Sequence, residues 1–305
     1  MRAYVREQKH ICGKEYMEVD LFEVSETQHK ANGRRKRMLA TSIAQQKYNH
    51  KLAVRYFVQL VHTNFGRKDF ALTLTYDDAH KLEPGEDKKA DRDWSNFVTR
   101  VNRYCDKHGK PHPKWVVVTE YAEEDETGKV HGRTHHHAII EGVLNRDEYE
   151  ALWHDRAGEK IGFVRCEKID VDHGSFEGLV RYMTKNERYT RRWRQSRGLK
   201  RPKTPRPNDS RWNRKKLDEA FRLRVDDRTF WQQKYPGYTL NECVQEVTGA
   251  GTLHLVVKMR KLPGGKTRGK NEAEFGRPAA KVQGAGGGTD RRTKKQKIPG
   301  GTKPC

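Results

Sequence analysis

Residues Gly132–Ile140 read GRTHHHAII, with three consecutive histidines immediately before a short apolar run. Alternate side chains of a strand share a face, so His135 and His137 would point one way and His136 the other. The apolar run that follows predicts that this strand enters the core. Two imidazoles on one face are a bidentate metal site, and a surface histidine cluster is the alternative interpretation.

A second apolar stretch, Lys114–Tyr121 (KWVVVTEY), precedes the histidines and contains no acid until Glu120. An acid that ends a buried strand is either a solvated strand end or a ligand. If the two strands pair as a hairpin, Glu120 lies beside the histidines. Two imidazoles and one carboxylate leave coordination positions open, which is typical of a catalytic metal site. Mixed nitrogen and oxygen ligands suit Mg²⁺ or Mn²⁺, with zinc as a further option.

The elements around these stretches follow the order β-α-β-β-α-β-α. Strands are predicted at 69–78, 114–121, 132–140 and 162–170, and helices at 91–111, 145–158 and 175–197. The first six elements have the order of the split βαβ, ferredoxin-like arrangement. The predicted fold class is therefore α+β, an antiparallel sheet with helices on one face.

Four segments are predicted along the chain. Residues 1–65 are expected to form a basic, helical N-terminal extension, because residues 37–62 have helical spacing. Residues 66–216 are the catalytic domain with a basic DNA-binding segment. Residues 217–262 are a C-terminal extension, in which one or two strands would complete the domain. Residues 263–305 are rich in Gly and Lys with almost nothing apolar to bury, which predicts a disordered tail.

Composition narrows the class of partner. The 305 residues carry a formal net charge of +22, which attracts polyanions, and nucleic acid is the commonest polyanion in a cell. No apolar stretch is long enough for a membrane span or a secretory signal. The five cysteines are scattered and form no CxxC pair, which argues against a disulfide framework and for a cytoplasmic protein.

The helix predicted at 175–197 offers a nucleophile. Tyr182, Lys185 and Tyr189 share a helical face that is separate from the apolar stripe. Near a divalent cation, a phenol can attack a phosphodiester while a lysine positions or neutralises the developing charge. Without a metal, Tyr182 would be a packing residue and Lys185 a solvated charge.

A basic run follows from Arg188 to Lys216, with thirteen Lys and Arg and a single acid, Asp209. Solvated faces usually mix both signs, so the run predicts phosphate contacts. Base stacking is expected on Trp193, Trp212 or Tyr189. A solvated basic tail is the alternative.

Three motifs now stand in order: FALTLTYDD at 70–78, GRTHHHAII at 132–140 and YMTK at 182–185. Together they resemble the three motifs of the HUH endonuclease superfamily. The closest likeness is to rolling-circle replication initiators (Rep) of bacterial plasmids and single-stranded DNA phages. The resemblance covers roughly residues 64–185 and implies an HUH/Rep-type catalytic domain.

The resemblance also implies roles for individual residues. His135, His137 and, with them, Glu120 would be the metal ligands. Tyr182 would be the nucleophile and Lys185 the lysine of a YxxK motif. The remaining implied residues contact DNA or support the site. The DNA-binding set is Arg133, Arg181, Arg188, Arg191, Arg192, Trp193 and Arg194, and the first-motif set that acts as scaffold or DNA contact is Thr73, Thr75 and Asp77.

The implied reaction nicks single-stranded origin DNA and leaves the protein joined to the 5′-phosphate. Gly178 occupies the position at which many relatives carry a second tyrosine, which favours a one-tyrosine mechanism. The chain has no P-loop motif, so we expect no nucleotide cofactor and a host helicase and polymerase as partners. Rival functions are an HUH relaxase or transposase, a non-enzymatic nucleic-acid-binding protein, and a metallohydrolase in which water attacks.

Overall fold

The computed structural model describes residues 3–25, 43–170, 178, 180, 193–247 and 251–262. The chain divides into two units, Met1–Thr267 and Arg268–Cys305, and the second unit lies outside the described residues. The described strands are β1 Ala3–Cys12, β2 Tyr16–Ser25, β3 Phe70–Thr75, β4 Trp115–Glu120, β5 Glu123–Glu124, β6 Val130–His131, β7 His135–Ile140, β8 Val164–Lys168, β9 Arg194–Gln195, β10 Tyr238–Val247 and β11 Leu253–Lys261. The described helices are α1 Ile43–Asn64, α2 Asp87–Lys107, α3 Arg146–Ala151, α4 Arg214–Leu223 and α5 Arg228–Lys234.

One sheet contains the three histidines and is called here the histidine sheet. Its strand order is β8-β3-β7-β4-β9, and every neighbouring pair is antiparallel. Because β3 and β4 are both antiparallel to β7, they run in the same direction with β7 inserted between them. This is the order expected of a split βαβ unit. The predicted antiparallel, mixed α and β class is therefore confirmed.

The first face of the histidine sheet packs against α2 and α3. Leu72, Leu74 and Ala138 from the strands share a buried cluster with Trp94 and Phe97 from α2. The buried residues of α2 recur at three- and four-residue intervals, so one stripe of the helix covers the sheet. Full burial of each such side chain stabilises the fold by roughly 1.5–3 kcal/mol.

The second face carries His135 and His137 and is called here the site face. Part of it is covered by α1, whose Phe57, Leu60 and Val61 lie in one cluster with Ile139 and Val116. The expectation of helices on one face only was therefore wrong. The apolar stripe of α1 needs a partner, and the apolar end of the site face supplies it.

The four remaining long strands form a second sheet, called here the terminal sheet, in the order β1-β2-β11-β10. The helical extension predicted for residues 1–65 is thus wrong for residues 3–25, which form a β-hairpin. In β2, Met17, Val19 and Leu21 are buried on one face, as the period of a strand requires. Residues 43–64 are helical, in agreement with the prediction there.

The opposite face of the terminal sheet buries charge against α1. Glu18 is fully buried, and it accepts hydrogen bonds from Arg55 Nε at 2.6 Å and from Gln59 at 2.7 Å. Asp20 receives both terminal nitrogens of the same arginine at 2.8 Å. This pairing holds the pKa of Asp20 well below its usual range, against the opposing effect of burial. The helix α1 therefore contacts both sheets.

The C-terminal part of the described chain completes the terminal sheet. The strands expected within 217–262 are present as β10 and β11, and β11 pairs with β2. They join the N-terminal hairpin and do not extend the histidine sheet. The predicted boundary at residue 216 falls inside α4. No helix of the described residues is long and apolar enough to cross a bilayer.

Residues 196–210, called here the basic strap, connect the two sheets. Just before the strap, Arg194 and Gln195 pair with β4, although a helix was predicted as far as residue 197. Further along, the strap makes bridges to Ile11 and Glu7 of β1. Five of its basic residues are exposed and form no ion pair with other described residues. They are Arg197, Lys200, Arg201, Lys203 and Arg206.

Candidate functional site

The structure brings Glu120, His135 and His137 together on the site face. Glu120 lies directly opposite His135 in the antiparallel pair of β4 and β7. His135 Nε2 is 3.4 Å from Glu120 Oε2, and His137 Nε2 is 4.0 Å from Glu120 Oε1. One ligand atom from each residue lies within 4.8 Å of the others. A possible metal-binding triad is therefore present, and the strand pairing that the sequence predicted produces it.

The orientation of both imidazole rings is fixed through their other nitrogen. His135 Nδ1 is 2.6 Å from the carbonyl oxygen of Arg133, which can only accept, so Nδ1 carries the hydrogen. His137 Nδ1 lies 3.2 Å from the hydroxyl of Thr73, the residue opposite it on β3. Partners of this kind set the tautomer of metal-binding histidines. In the neutral His135 ring, Nε2 is left with the lone pair that a metal requires.

The donor set fits a divalent cation. Glu120 Oε1 is buried and forms no hydrogen bond with any described residue, which is costly for a carboxylate without a cation. Ligand atoms that are each about 2.1 Å from one ion lie about 3.0–3.5 Å apart. The distances of 3.4 and 4.0 Å are close to this requirement. Three protein ligands leave further positions open for a substrate oxygen.

His136 lies on the other face, as strand alternation predicts. Its ring is fully buried in the core, next to the rings of Tyr76, Trp94 and Trp153. Burial, reinforced by nearby positive charge, lowers the pKa of His136 to about 3. The ring is held by the hydroxyls of Thr119 at 2.9 Å and Tyr76 at 3.1 Å. His136 is therefore a neutral core residue on the side of the sheet away from the triad.

The residues of the first motif support the site to different degrees. Thr73 contacts His137 directly. Thr75 lies opposite His135, but its hydroxyl donates to the carbonyl oxygen of Phe163 at 3.2 Å. Asp77 accepts from the backbone N–H of His80 and lies 2.7 Å from its ring. The bond to the ring is the main cause that lowers the pKa of Asp77.

The predicted DNA-binding residues that the structure describes are Arg133, Trp193 and Arg194. Arg133 is half exposed beside the triad and donates to Asp78 at 2.8 Å. Arg194 lies 3.0 Å from a carboxylate oxygen of Asp91 and has a structural role in holding β9 against α2. Their contacts with DNA stay predictions.

The tryptophans expected to stack on bases are partly occupied by protein contacts. Trp193 is half buried and stacks on Phe57, with ring centroids 4.6 Å apart. Trp212 is buried in the core of the terminal sheet beside Trp231. The prediction that Trp212 stacks on a base was therefore wrong, because its ring is not accessible to a ligand.

Several predicted site residues lie outside the described residues. They are Tyr182, Lys185, Arg181, Arg188, Arg191 and Arg192, together with Tyr189. The nearest described residue is Val180, which is helical and fully buried. It belongs to the cluster that contains Val118 and Ile139 on the site face. The chain therefore reaches the site face two residues before Tyr182.

Phe163 is a candidate residue that the sequence motifs did not single out. This side chain is 75% exposed, and it precedes β8 at the edge of the site face. Gly162 allows the approach, since a Cβ there would lie 1.9 Å from the carbonyl oxygen of Thr75. The signal was present, because alternation in FVRCEK places Phe163, Arg165 and Glu167 on one face.

Comparison with known proteins adds one finding. The model of the replication-associated protein ORF2 family matches residues 69–187. No curated protein and no solved structure gives a significant match. The matched segment contains all three residues of the triad and both residues of the YxxK pair. The match suggests DNA binding and supports a replication initiator protein of the Rep type.

Proposed function

We propose that this protein is an HUH endonuclease that initiates rolling-circle replication by nicking and rejoining single-stranded origin DNA. The observation that carries the proposal is the convergence of Glu120, His135 and His137 on one sheet face. This triad lies inside the segment that matches a family of replication-associated proteins. An open site with two imidazoles and a carboxylate beside a strongly basic chain suits phosphate-ester chemistry.

In the proposed reaction, Tyr182 is the nucleophile. A bound Mg²⁺ or Mn²⁺ would polarise a phosphoryl oxygen of the bond to be cut. The Tyr182 hydroxyl oxygen attacks phosphorus and loses its proton, while the bond from phosphorus to the 3′ oxygen breaks. The leaving 3′ oxygen gains a proton and becomes a free hydroxyl. Lys185 neutralises charge that develops on the phosphate.

The product keeps the energy of the broken bond in a 5′-phosphotyrosine. Religation therefore needs no nucleotide cofactor, and reversal of the same step closes a circle. The exposed Gly178 stands where a second tyrosine would be required for transfer between two tyrosines. We accordingly propose a one-tyrosine mechanism.

The proposed partners follow from the reaction. The free 3′-hydroxyl is a primer for a host polymerase, and a host helicase would unwind the duplex. The exposed cations of the basic strap can neutralise backbone phosphates on the approach to the site. All of these partners place the reaction in the cytoplasm.

The test is a covalent-adduct assay. Labelled single-stranded oligonucleotides that tile the origin of the protein's own replicon are incubated with the protein and Mn²⁺, then resolved on a denaturing gel. We expect a protein–DNA band that EDTA and the Tyr182→Phe variant both remove. The Tyr189→Phe variant is the matched control, because it deletes a phenol from the same predicted helical face and should keep the band.

The other outcomes identify the rival functions. Cleavage without a covalent band would indicate a hydrolase in which water attacks. Binding without cleavage at any origin sequence would indicate a passive nucleic-acid-binding protein. A band that survives in Tyr182→Phe but not in Tyr189→Phe would assign the nucleophile to the second phenol.

A further inference from the structure

A row of four side chains crosses the site face of the histidine sheet. Glu120 is opposite His135, and His135 is opposite Thr75. The N–H of Thr75 donates to the carbonyl oxygen of Phe163 at 2.9 Å, which continues the pairing of β3 with β8. Directly opposed residues of a sheet project to the same face. Phe163 therefore shares the face and the row of the metal triad.

The position of Phe163 is close to the triad. Neighbouring strands are about 4.8 Å apart, so two strand spacings place the backbone of Phe163 about 10 Å from that of His135. At a spacing of about 3.4 Å between stacked nucleotides, this distance corresponds to no more than about three nucleotides. A base next to the bond that is cut is therefore within reach of the ring.

The ring is exposed while its backbone is rigidly held. Phe163 is the most exposed large hydrophobic side chain among the described residues, at 75%. Both the N–H and the hydroxyl of Thr75 donate to its carbonyl oxygen. Gly162 lets the two strands approach closely, because any Cβ there would clash with Thr75. A ring presented in this way needs no reorganisation before it binds.

A cation stands in the next row on the same face. Arg165 is opposite Thr73, which is itself opposite His137. The Arg165 side chain is 73% exposed and pairs at 2.7 Å with Glu167, whose side chain is also exposed. Exposed pairs of this kind contribute little, so the guanidinium can exchange this partner for a phosphate.

We propose that Phe163 is a stacking platform for a nucleobase of the single strand next to the bond that is cut, with Arg165 contacting a neighbouring phosphate. This inference rests on the proposed function and adds the binding site for the substrate strand. Stacking on an aromatic ring accepts any base, so the contact positions the strand without reading its sequence. A single exposed hydrophobic residue is common on proteins, but here row, face and neighbouring charge all coincide with the triad.

The test measures binding in the absence of cutting. Fluorescence anisotropy with labelled oligothymidylate of about 15 nucleotides, in EDTA, compares the wild type with Phe163→Ala and Phe163→Trp. An abasic oligomer of the same length and charge serves as the second probe. Leu223→Ala is the matched control, because Leu223 is 72% exposed on α4 of the other sheet.

Phe163→Ala should weaken binding of oligothymidylate by about 5- to 100-fold, and Phe163→Trp should restore it. Leu223→Ala should bind like the wild type, and the abasic oligomer should not distinguish any of the proteins. Unchanged oligothymidylate binding in Phe163→Ala would overturn the inference, as would an equal loss on the abasic oligomer. If base-dependent binding requires Phe163 but no tyrosine adduct forms, the proposed nicking fails and the stacking site stands.

Discussion

Glu120 and His135 face each other across the β4–β7 pair, with 3.4 Å between Oε2 and Nε2. The other oxygen of the same carboxylate lies 4.0 Å from Nε2 of His137. One carboxylate thus serves both imidazoles, and the rings stand almost perpendicular to each other at 87°. A metal ion would join three side chains from two strands, so its binding should be visible as stability.

Removal of one imidazole should abolish stabilisation by metal. Saturating Mn²⁺ should raise the melting temperature of the wild type, because a ligand at about 100 times its Kd adds about 2.7 kcal/mol. His137→Ala should lose this rise and the covalent adduct, while salt-sensitive DNA binding persists. Differential scanning fluorimetry measures the shift. The control is His131→Ala, which removes a nearby exposed histidine that pairs with Asp125; a full Mn²⁺ shift in His137→Ala would contradict the assignment.

The hydroxyl of Thr73 should strengthen metal binding through His137. Thr73→Val keeps the shape of the side chain but removes the group 3.2 Å from Nδ1. Loss of such a partner typically lowers metal affinity by about 10- to 100-fold. Isothermal titration with Mn²⁺ measures the change. Thr75→Val is the matched control, because its hydroxyl bonds to the Phe163 carbonyl; equal losses in both variants would mean that the hydroxyl acts on the strand and not on the ring.

Gly162→Ala should destabilise the junction of β3 and β8. The added Cβ would lie 1.9 Å from a backbone oxygen, which cannot move without breaking the ladder. Overpacking of this kind costs about 1–3 kcal/mol or more. Urea denaturation measures the loss. Gly66→Ala meets nothing within 4 Å and should leave the midpoint unchanged, so an equal effect in both variants would refute the close approach.

Acid should destabilise the protein partly through His62. Burial, together with Arg260 and Lys258, lowers the pKa of His62 from 6.5 to about 3. The unfolded chain therefore binds a proton that the folded chain rejects, and this contribution to stability is full above pH 6.5 and declines as the pH falls towards 3. His62→Phe keeps the stack on Tyr16 and should flatten the loss of melting temperature between about pH 7 and pH 4.

The control for this pH effect is His112→Gln, since His112 is exposed and pairs with the exposed Asp106. Its pH profile should match the wild type. A profile of His62→Phe that also matches the wild type would mean that other groups cause the acid sensitivity.

The triad could be predicted because it depends on local rules. Strand alternation decides which face each histidine occupies, and a hairpin register then places the single acid opposite His135. The same alternation in β8 would have revealed Phe163, which was overlooked because an exposed aromatic residue carries no local motif.

The terminal sheet could not be predicted from local rules. Asp20 and His254 are in contact at 2.8 Å but lie 234 residues apart in sequence. No periodicity within β2 indicates that its second neighbour is at the far end of the chain. Trp212 shows a related difficulty, because the Lys and Arg around it stay in solvent while the indole turns inward.

A protein whose first strands wait for its last ones has an unusual history on the ribosome. The hairpin of β1 and β2 emerges first, yet β11 becomes available only after residue 253 has been synthesised. Until then, Val19 and Leu21 lack half of their cover, and the edge of β2 is open to other chains. Long-range pairing is also slow. Nascent or truncated chains should therefore depend on chaperones, although every strand of the histidine sheet except β9 has been made by residue 168.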